Sequence, residues 1–288
     1  MKKLLTLCAL SAALALACSG QEPATLPAAT GPAMAATATT ASSPVGTDAP
    51  VYMLLVDMEK TADKFPTLES KVEYTVLISV TEERETRNGT VHMQRGSDAP
   101  AATTTAAASS RSPDKFRIHF TDFKIGTKGQ PLAEERVYAF DGVWLSTMDY
   151  KLRKLTRHQV AVEGEKVEAL RLGKGPFPIP FGQKADDVIK FFDVKTRELK
   201  KGEPAGTTYL LLTPKPGQDR ELSFKKLEVW VSNETFLPAK ISSLERNGNT
   251  SIVTFNDTKA GQKIDDKLFK PEKPTRQWEL SIETLNKK

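Results

Sequence analysis

The stretch that decides the fold lies near the end of the chain, at residues 227–269, and reads LEVWVSNETFLPAKISSLERNGNTSIVTFNDTKAGQKIDDKLF. Its first part, LEVWVS, places Leu227, Val229 and Val231 at every second position. A period of two is the side-chain period of a β-strand, in which successive residues point to opposite faces. The stretch therefore begins with a predicted strand that has one strongly apolar face.

Two further runs complete a predicted three-stranded antiparallel meander. Residues 239–245 form the second run, and residues 251–255, SIVTF, form the third. Asn247-Gly248 lies between them, and this dipeptide favours the left-handed backbone of a tight reversal. Such a meander needs an apolar cover, which the upstream chain has to provide.

The chain between Asp48 and Pro66 predicts an amphipathic helix. Asp48 is a suitable capping side chain, and Pro50 is favourable in the first turn. A second, shorter helix is predicted over residues 185–192. Apolar residues recur at helical spacing in both segments: Leu55, Met58, Ala62 and Phe65 in the first, and Val188, Ile189 and Phe192 in the second.

The middle of the chain predicts further strands and two hairpins. Asn88-Gly89 and Asp141-Gly142 are both signals for two-residue reversals, the second one of type I′. The hairpin around Asp141 has two apolar faces and should be covered on both sides. One face carries Tyr138, Phe140, Val143 and Leu145, and the other carries Val137, Ala139 and Trp144.

An apolar loop, GPFPIPFG, occupies residues 175–182. Phe177, Ile179 and Phe181 alternate there with prolines, which lack a backbone donor and hold the chain extended. Two interpretations stay open. The side chains pack across the open mouth of the sheet, or they are exposed as a lid or a membrane-dipping tip.

The N-terminus reads MKKLLTLCALSAALALAC, a basic start followed by a short apolar core. This pattern predicts a signal peptide over residues 1–17, because the core is too short to span a bilayer. Ala15-Leu16-Ala17-Cys18 resembles a bacterial lipobox, which implies cleavage before Cys18 and acylation of that residue. The alternative is ordinary cleavage with Cys18 as a bystander.

Composition divides the remaining chain into ordered and disordered parts. Residues 18–47 are rich in Ala, Thr, Pro and Ser and predict a disordered tether behind the lipidated N-terminus. Residues 97–113 have the same composition and predict a disordered insertion. One folded domain is predicted over residues 48–274, followed by a tail at 275–288 that is either a last strand or loose.

The sequence lacks the patterns of the common enzyme classes, and no catalytic, metal or cofactor site is predicted. It contains three histidines and no phosphate loop or nucleophile motif. Adjacent carboxylates such as Glu134-Glu135 should point apart rather than converge as an acid–base pair. Without Lys2 and Lys3 of the signal peptide the formal charge is about +3, which argues against nucleic acid as a partner.

Four segments resemble the LolA/LolB-like outer-membrane lipoprotein-sorting (lipoprotein carrier) family: LEVWVSNETFLPAKI, TSIVTFNDTKAGQKIDDKLFKP, PDKFRIHF and VYAFDGVWL. The resemblance covers most of the chain after Pro50. It implies an α+β fold, a strongly curved antiparallel sheet or half-barrel with a few helices covering its concave side. Soluble carriers of this family have no lipid anchor, so the lipobox at Cys18 indicates a lipid-anchored member, a tethered acceptor or local binder. It is expected in the bacterial envelope at the outer membrane, facing the periplasm.

The same resemblance implies a hydrophobic cavity that accepts acyl chains of lipids or lipoproteins. The candidate lining residues are Phe116, Ile118, Phe120, Tyr138, Phe140, Trp144 and Trp230. A fully packed core is the alternative to a cavity. The alternative function is a structural or regulatory envelope lipoprotein that uses the fold to bind a protein partner or to sense stress.

Overall fold

The computed structural model of the chain describes residues 48–96, 113–162, 172, 181–218, 222–272, 275 and 277–285. The predicted signal peptide and tether lie outside these residues. The predicted insertion does so as well, apart from Pro113.

Within these described residues, twelve strands form one open, curved sheet and two α-helices cover its concave side, so the predicted α+β half-barrel is confirmed. The strand order across the sheet is β12-β6-β5-β4-β3-β2-β1-β11-β10-β9-β8-β7. In chain order the elements are α1 Ala49–Lys64, β1 Thr67–Leu77, β2 Arg84–Gln94, β3 Lys115–Ile125, β4 Leu132–Phe140, β5 Trp144–Asp149, β6 Lys154–Gln159, α2 Ala185–Phe191, β7 Phe192–Arg197, β8 Thr207–Pro214, β9 Phe224–Ser232, β10 Pro238–Glu245, β11 Thr250–Ala260 and β12 Glu279–Glu283, with a 3₁₀ turn at Asp266–Phe269.

Strand β1 lies near the middle of the sheet and joins two meanders. It pairs with β2 on one side and with β11 on the other, both antiparallel. The predicted C-terminal meander is confirmed as β9, β10 and β11, and Gly248 takes the positive φ of 91° that its reversal requires. All neighbouring strands are antiparallel except β12, which pairs parallel with β6.

Helix α1 begins and ends close to the predicted residues. Pro50 lies in its first turn, and the helix stops at Lys64, just before Phe65 and Pro66. The predicted side-chain cap is wrong, because Asp48 makes no such hydrogen bond. Instead its backbone oxygen accepts from the amide of Val51 at 2.9 Å.

The predicted reversal at Asn88-Gly89 is also wrong, since both residues lie inside β2. The chain turns earlier, between β1 and β2, where the Ile78 amide donates to the Glu83 carbonyl oxygen. Gly89 serves the sheet in another way. A Cβ atom there would collide with the His119 carbonyl of β3 and lie 2.8 Å from the Phe120 Cα. The glycine thus permits the close approach of two backbones, a recognised role of glycine in strands.

Gly89→Ala should therefore weaken the pairing of β2 with β3. The collision involves backbone atoms, which cannot turn aside, so we expect a loss of about 1–3 kcal/mol, as for other overpacked sites. Gly202→Ala is a suitable control because its Cβ would meet nothing within 4 Å, although its φ of 89° adds some strain. Urea unfolding should show a clearly larger loss for Gly89→Ala, and equal losses would contradict this account.

The two faces of the sheet carry separate apolar clusters. We call the face beneath α1 and α2 the covered face and the opposite one the outer face. Phe140 pairs with Leu145, and the connection between β4 and β5 consists of the three residues 141–143 rather than the predicted type I′ pair. The predicted division of faces nevertheless holds, because the pairing differs by two residues. Tyr138, Phe140 and Leu145 pack in the covered-face cluster.

The C-terminal segment covers part of the outer face, where Val137, Ala139, Met148 and Leu155 are buried. Trp278 packs edge-on against Tyr150, with ring centroids 5.0 Å apart. The segment after it is strand β12, so this part of the tail is a last strand rather than a loose segment. Both faces of the β4–β5 hairpin are thus covered, as its pattern predicted.

Candidate functional site

The candidate site is the apolar interior between the covered face and the helix pair α1 and α2. Val51, Leu55 and Ala62 of α1 are buried there, together with Val188 and Ile189 of α2. The helical spacing of these residues turns one face of each helix toward the sheet. The interior is therefore built by the apolar stripes that the sequence predicted.

A small cavity remains within this interior, which we call the helix–sheet cavity. Its volume is about 20 Å³, enough for about one water molecule. An acyl chain does not fit into this volume. The lining consists of aliphatic side chains plus one glycine and one amide: Leu55, Met58, Leu172, Gly182, Gln183, Val188, Leu210, Leu212 and Val229.

Polar contacts at the rim hold the helix pair in place. The Tyr52 hydroxyl donates to Asp186 Oδ1 at 3.0 Å, which raises the pKa of Tyr52. Glu59 Oε2 accepts from the Ala185 amide at 2.9 Å. This carboxylate occupies the N-terminus of α2, where an anion is favoured and where the N-cap residue itself provides no side-chain cap. Asp63, near the end of α1, pairs with Arg95.

Five of the predicted lining residues share the covered face. Phe116, Ile118, Phe120 and Phe140 are each at most 4% exposed, and Tyr138 is half-buried beside them. The rings are in contact, with centroids 5.8 Å apart for Phe116 and Phe140 and 6.3 Å for Phe120 and Tyr138. These residues form the packed floor of the interior, beside the helix–sheet cavity but not part of its lining.

The other two predicted lining residues do not join them, and this part of the prediction is corrected. Trp144 lies on the outer face, where the guanidinium of Arg157 stacks 4.7 Å from its ring centroid. Trp230 also lies on the outer face, next to Tyr209 in an edge-on contact at 5.3 Å. Each tryptophan is adjacent in sequence to a covered-face residue, so the alternation along its strand sends it to the other side.

The surroundings of Trp230 form a compact cluster that fixes the β7–β8 end of the outer face. The guanidinium of Arg197 lies 3.5 Å from the Tyr209 ring centroid and pairs with both carboxylate oxygens of Glu203. Burial, assisted by the hydrogen bond to Glu228, raises the pKa of Tyr209 to about 12. Since aromatic and charged groups here partner one another, this cluster stabilises the sheet.

The apolar loop is described only at its end. Phe181 is 2% exposed and belongs to the covered-face cluster, which favours the packing interpretation for that residue. Phe177 and Ile179 lie outside the described residues.

An ion-pair group lies at the end of the covered-face aromatic row. Glu134 lies 3.6 Å from both Arg87 and Arg136, and Arg136 also pairs with Asp149 at 2.6 Å. The neighbouring Glu135 faces the other way and pairs with His119 at 2.8 Å. The two adjacent carboxylates thus point apart, as predicted, and neither forms an acid–base pair with the other.

Within the described part of the chain, no cluster of His, Cys, Asp or Glu side chains could hold a metal ion. None of the helices described there is long and apolar enough to cross a membrane.

Comparison with known families adds to this geometry. The model of the family described as "Outer membrane lipoprotein carrier protein LolA" matches residues 135–272, from β4 to beyond the 3₁₀ turn. Over these residues the chain is similar to LolA. The match includes the meander β9–β11. No curated protein sequence matches the chain.

Three solved structures are similar to this chain at low sequence identity. A conserved protein from Thermus thermophilus is 12% identical, with 81% of this chain and 99% of that chain covered and a TM-score of 0.42. The Mycobacterium tuberculosis lipoprotein LppX is 10% identical, with 76% and 99% covered and a TM-score of 0.39. The Pseudomonas aeruginosa MucA/MucB complex gives 14% identity, 76% and 60% coverage and a TM-score of 0.35.

Sequence reasoning found the elements of the site but missed its contacts. The cavity lies between α1, α2, β8 and β9, whereas the candidate residues came mainly from β3 and β4. The cap that Glu59 provides to α2 joins residues 126 positions apart and has no local signal. The available indications of the cavity wall were the helical stripes containing Leu55, Met58 and Val188 and the alternation that includes Val229.

Proposed function

We propose that the chain is a lipid-anchored binding protein of the bacterial cell envelope that holds acyl chains of lipids or lipoproteins. The acyl chains would lie between the helix pair and the covered face. Cys18 would carry the anchor, and the protein would lie at the outer membrane facing the periplasm. In this proposal the protein is a carrier or acceptor and not an enzyme.

The observation that carries the proposal is the composition of the helix–sheet cavity. Its lining is aliphatic except for Gly182 and Gln183, and it lies at the contact between α1, α2 and the sheet. Pockets of this apolar kind recognise apolar ligands, with few polar groups to orient them. The LolA-like match over residues 135–272 supports the same class of ligand.

Binding of an acyl chain then requires α1 to move away from the sheet, because the present cavity holds only about one water molecule. Burial of about ten methylene groups provides up to roughly 8 kcal/mol, at ~0.8 kcal/mol each. That gain can offset the separation of the rim contacts at Tyr52 and Glu59, because each of them is a single hydrogen bond. The rim contacts therefore set how readily the interior opens.

The test is binding of a fluorescent fatty-acyl probe to the chain from Thr47 onward. We expect the folded protein to bind the probe, and Tyr52→Phe to bind it about twofold to tenfold more tightly, because the closed state loses one hydrogen bond. Tyr209→Phe is the matched control, since it deletes a phenolic hydroxyl that donates to Glu228 on the outer face. Its affinity should equal that of the unmodified chain.

Two outcomes would contradict the proposal. A folded protein that binds no probe would show that the interior is only a packed core. An equal gain in Tyr209→Phe and Tyr52→Phe would show that the probe does not report on the helix pair. Mass spectrometry of lipid that co-purifies with the protein would then identify the natural ligand class, whereas a co-purifying protein would favour the regulatory alternative.

A further inference from the structure

The two edges of the sheet carry different side chains on the outer face. At the β7 edge the outer row consists of Asp193, Lys195 and Arg197, a charged pattern that discourages pairing with another strand. At the β12 edge the outer row consists of Leu280 and Ile282, which are 52% and 53% exposed. An exposed, apolar edge strand of this kind is a template for strand pairing.

The backbone of β12 leaves the same two residues unpaired. The Glu279 amide donates to the Arg153 carbonyl oxygen at 2.8 Å, so the odd-numbered residues of β12 face β6. Because backbone groups alternate in direction along a strand, the amides and carbonyls of Leu280 and Ile282 face away from the sheet. Within the described chain no further strand lies beyond β12.

The strand reads ELSIE, which is nearly symmetrical about Ser281, with an apolar residue and then a glutamate on each side. We propose that β12 is an interface between two copies of this chain, which pair through it as antiparallel strands about a two-fold axis at Ser281. A self-complementary sequence fits such an isologous contact. The two-fold axis places the leucine of each copy opposite the isoleucine of the other copy.

The register follows from the direction of the free backbone groups. Leu280 of one copy lies opposite Ile282 of the other, and these residues exchange backbone hydrogen bonds at both symmetry-related positions. Their side chains form apolar cross-strand pairs on the outer face. The two Ser281 residues form the non-hydrogen-bonded pair on the axis, with Cα atoms about 4.5 Å apart.

The two glutamates next to this contact already have side-chain partners on β6 within each copy. Glu279 lies 3.0 Å from Lys154, and Glu283 lies 2.9 Å from His158. In the two-fold arrangement Glu279 faces Glu283 of the second copy, a like-charge approach that would otherwise oppose pairing. Lys154 on β6 reduces this repulsion, because its ammonium group pairs with the Glu279 side of each such approach, so the acidic ends of β12 are compatible with a second copy.

The experiment is a cross-link in the full-length chain, whose only other cysteines are Cys8 and Cys18. Ser281→Cys should form a disulfide between two copies when the purified protein is exposed to dissolved oxygen, because a Cα separation of about 4.5 Å suits a disulfide. Lys195→Cys on the charged β7 edge is the control and should not. A non-reducing gel should show most of the first variant, and little of the second, at twice the chain mass.

A second substitution separates specific pairing from chance collision. Adding Ile282→Lys to Ser281→Cys should reduce the cross-linked fraction to the level of Lys195→Cys. The side chain is half exposed, so circular dichroism and the melting temperature should stay unchanged. Equal cross-linking of Ser281→Cys and Lys195→Cys would overturn the proposal. Persistence of the cross-link with Ile282→Lys, or a cross-link to a different protein in cells, would overturn it as well.

Discussion

Replacing Phe140 with aspartate should abolish folding of the domain. Phe140 is 1% exposed, and its ring packs against Phe116 on the covered face. Removal of a buried phenylalanine alone costs about 3–5 kcal/mol, and a buried carboxylate without a partner adds several more. The total is comparable with the whole stability of a domain, about 5–15 kcal/mol. Circular dichroism and urea unfolding should show no cooperative transition.

Trp144→Asp is the matched control, four residues away on the outer face. Its side chain is half-buried, and the new carboxylate would lie beside Arg157. We expect this variant to fold with a loss of about 1–2 kcal/mol, from the lost cation–π contact and some lost burial. If Phe140→Asp folded normally and lost only acyl-probe binding, Phe140 would line an open cavity rather than a packed floor.

Substituting Cys18 with serine should remove the protein from the membrane fraction. The proposed anchor depends on this thiol, because in that proposal its sulfur would receive the diacylglycerol, and a hydroxyl would not replace it in the proposed lipobox. Incorporation of labelled palmitate should fall to background, and the lipoprotein peptidase should leave the signal uncut. Fractionation and labelling of cells that express the variant measure both effects.

Cys8→Ser provides the control, since Cys8 lies inside the predicted signal peptide and leaves with it. That variant should stay membrane-bound, labelled and processed. A Cys18→Ser protein that kept its label and its membrane association would contradict lipid anchoring and would require another attachment.

The elements that the sequence predicted best are those with a strong local period. The β9–β11 meander follows from alternation, a breaker and Asn247-Gly248, and α1 follows from its apolar stripe. Each of these signals is local to one element or one turn, so no knowledge of the rest of the fold was needed. Helix α2, seven residues long, was recognised for the same reason.

The wrong predictions concern positions where tertiary packing, rather than the local sequence pattern, determines the structure. Gly89 was read as a turn residue, but the close approach of β3 requires a glycine at that position within a strand. Nothing within β2 distinguishes these two uses of glycine. The parallel pairing of β12 with β6 is also invisible locally, because it joins residues about 125 positions apart.

The candidate site was predicted less completely than the fold. Alternation relates the residues of one strand to each other, which placed Phe116, Ile118 and Phe120 together. It does not relate the faces of different strands, because that depends on the register between them. Trp144 and Trp230 were therefore grouped with residues on the other side of the sheet. The helix–sheet cavity depends on packing between distant segments, which no sequence period encodes.

The pairing of β1 with β11 has a consequence for how the chain acquires its structure. Leu68 lies opposite Ala260, so a central ladder of the sheet connects residues almost two hundred positions apart. Closing such a loop costs conformational entropy before the contacts between its two ends can stabilise the sheet. Sheets of high contact order are therefore slow to fold. Until residue 260 has been synthesised, the side of β1 that pairs with β11 has no partner strand. The nascent chain should therefore depend on a holding chaperone through nearly its whole length, and fold in one late step.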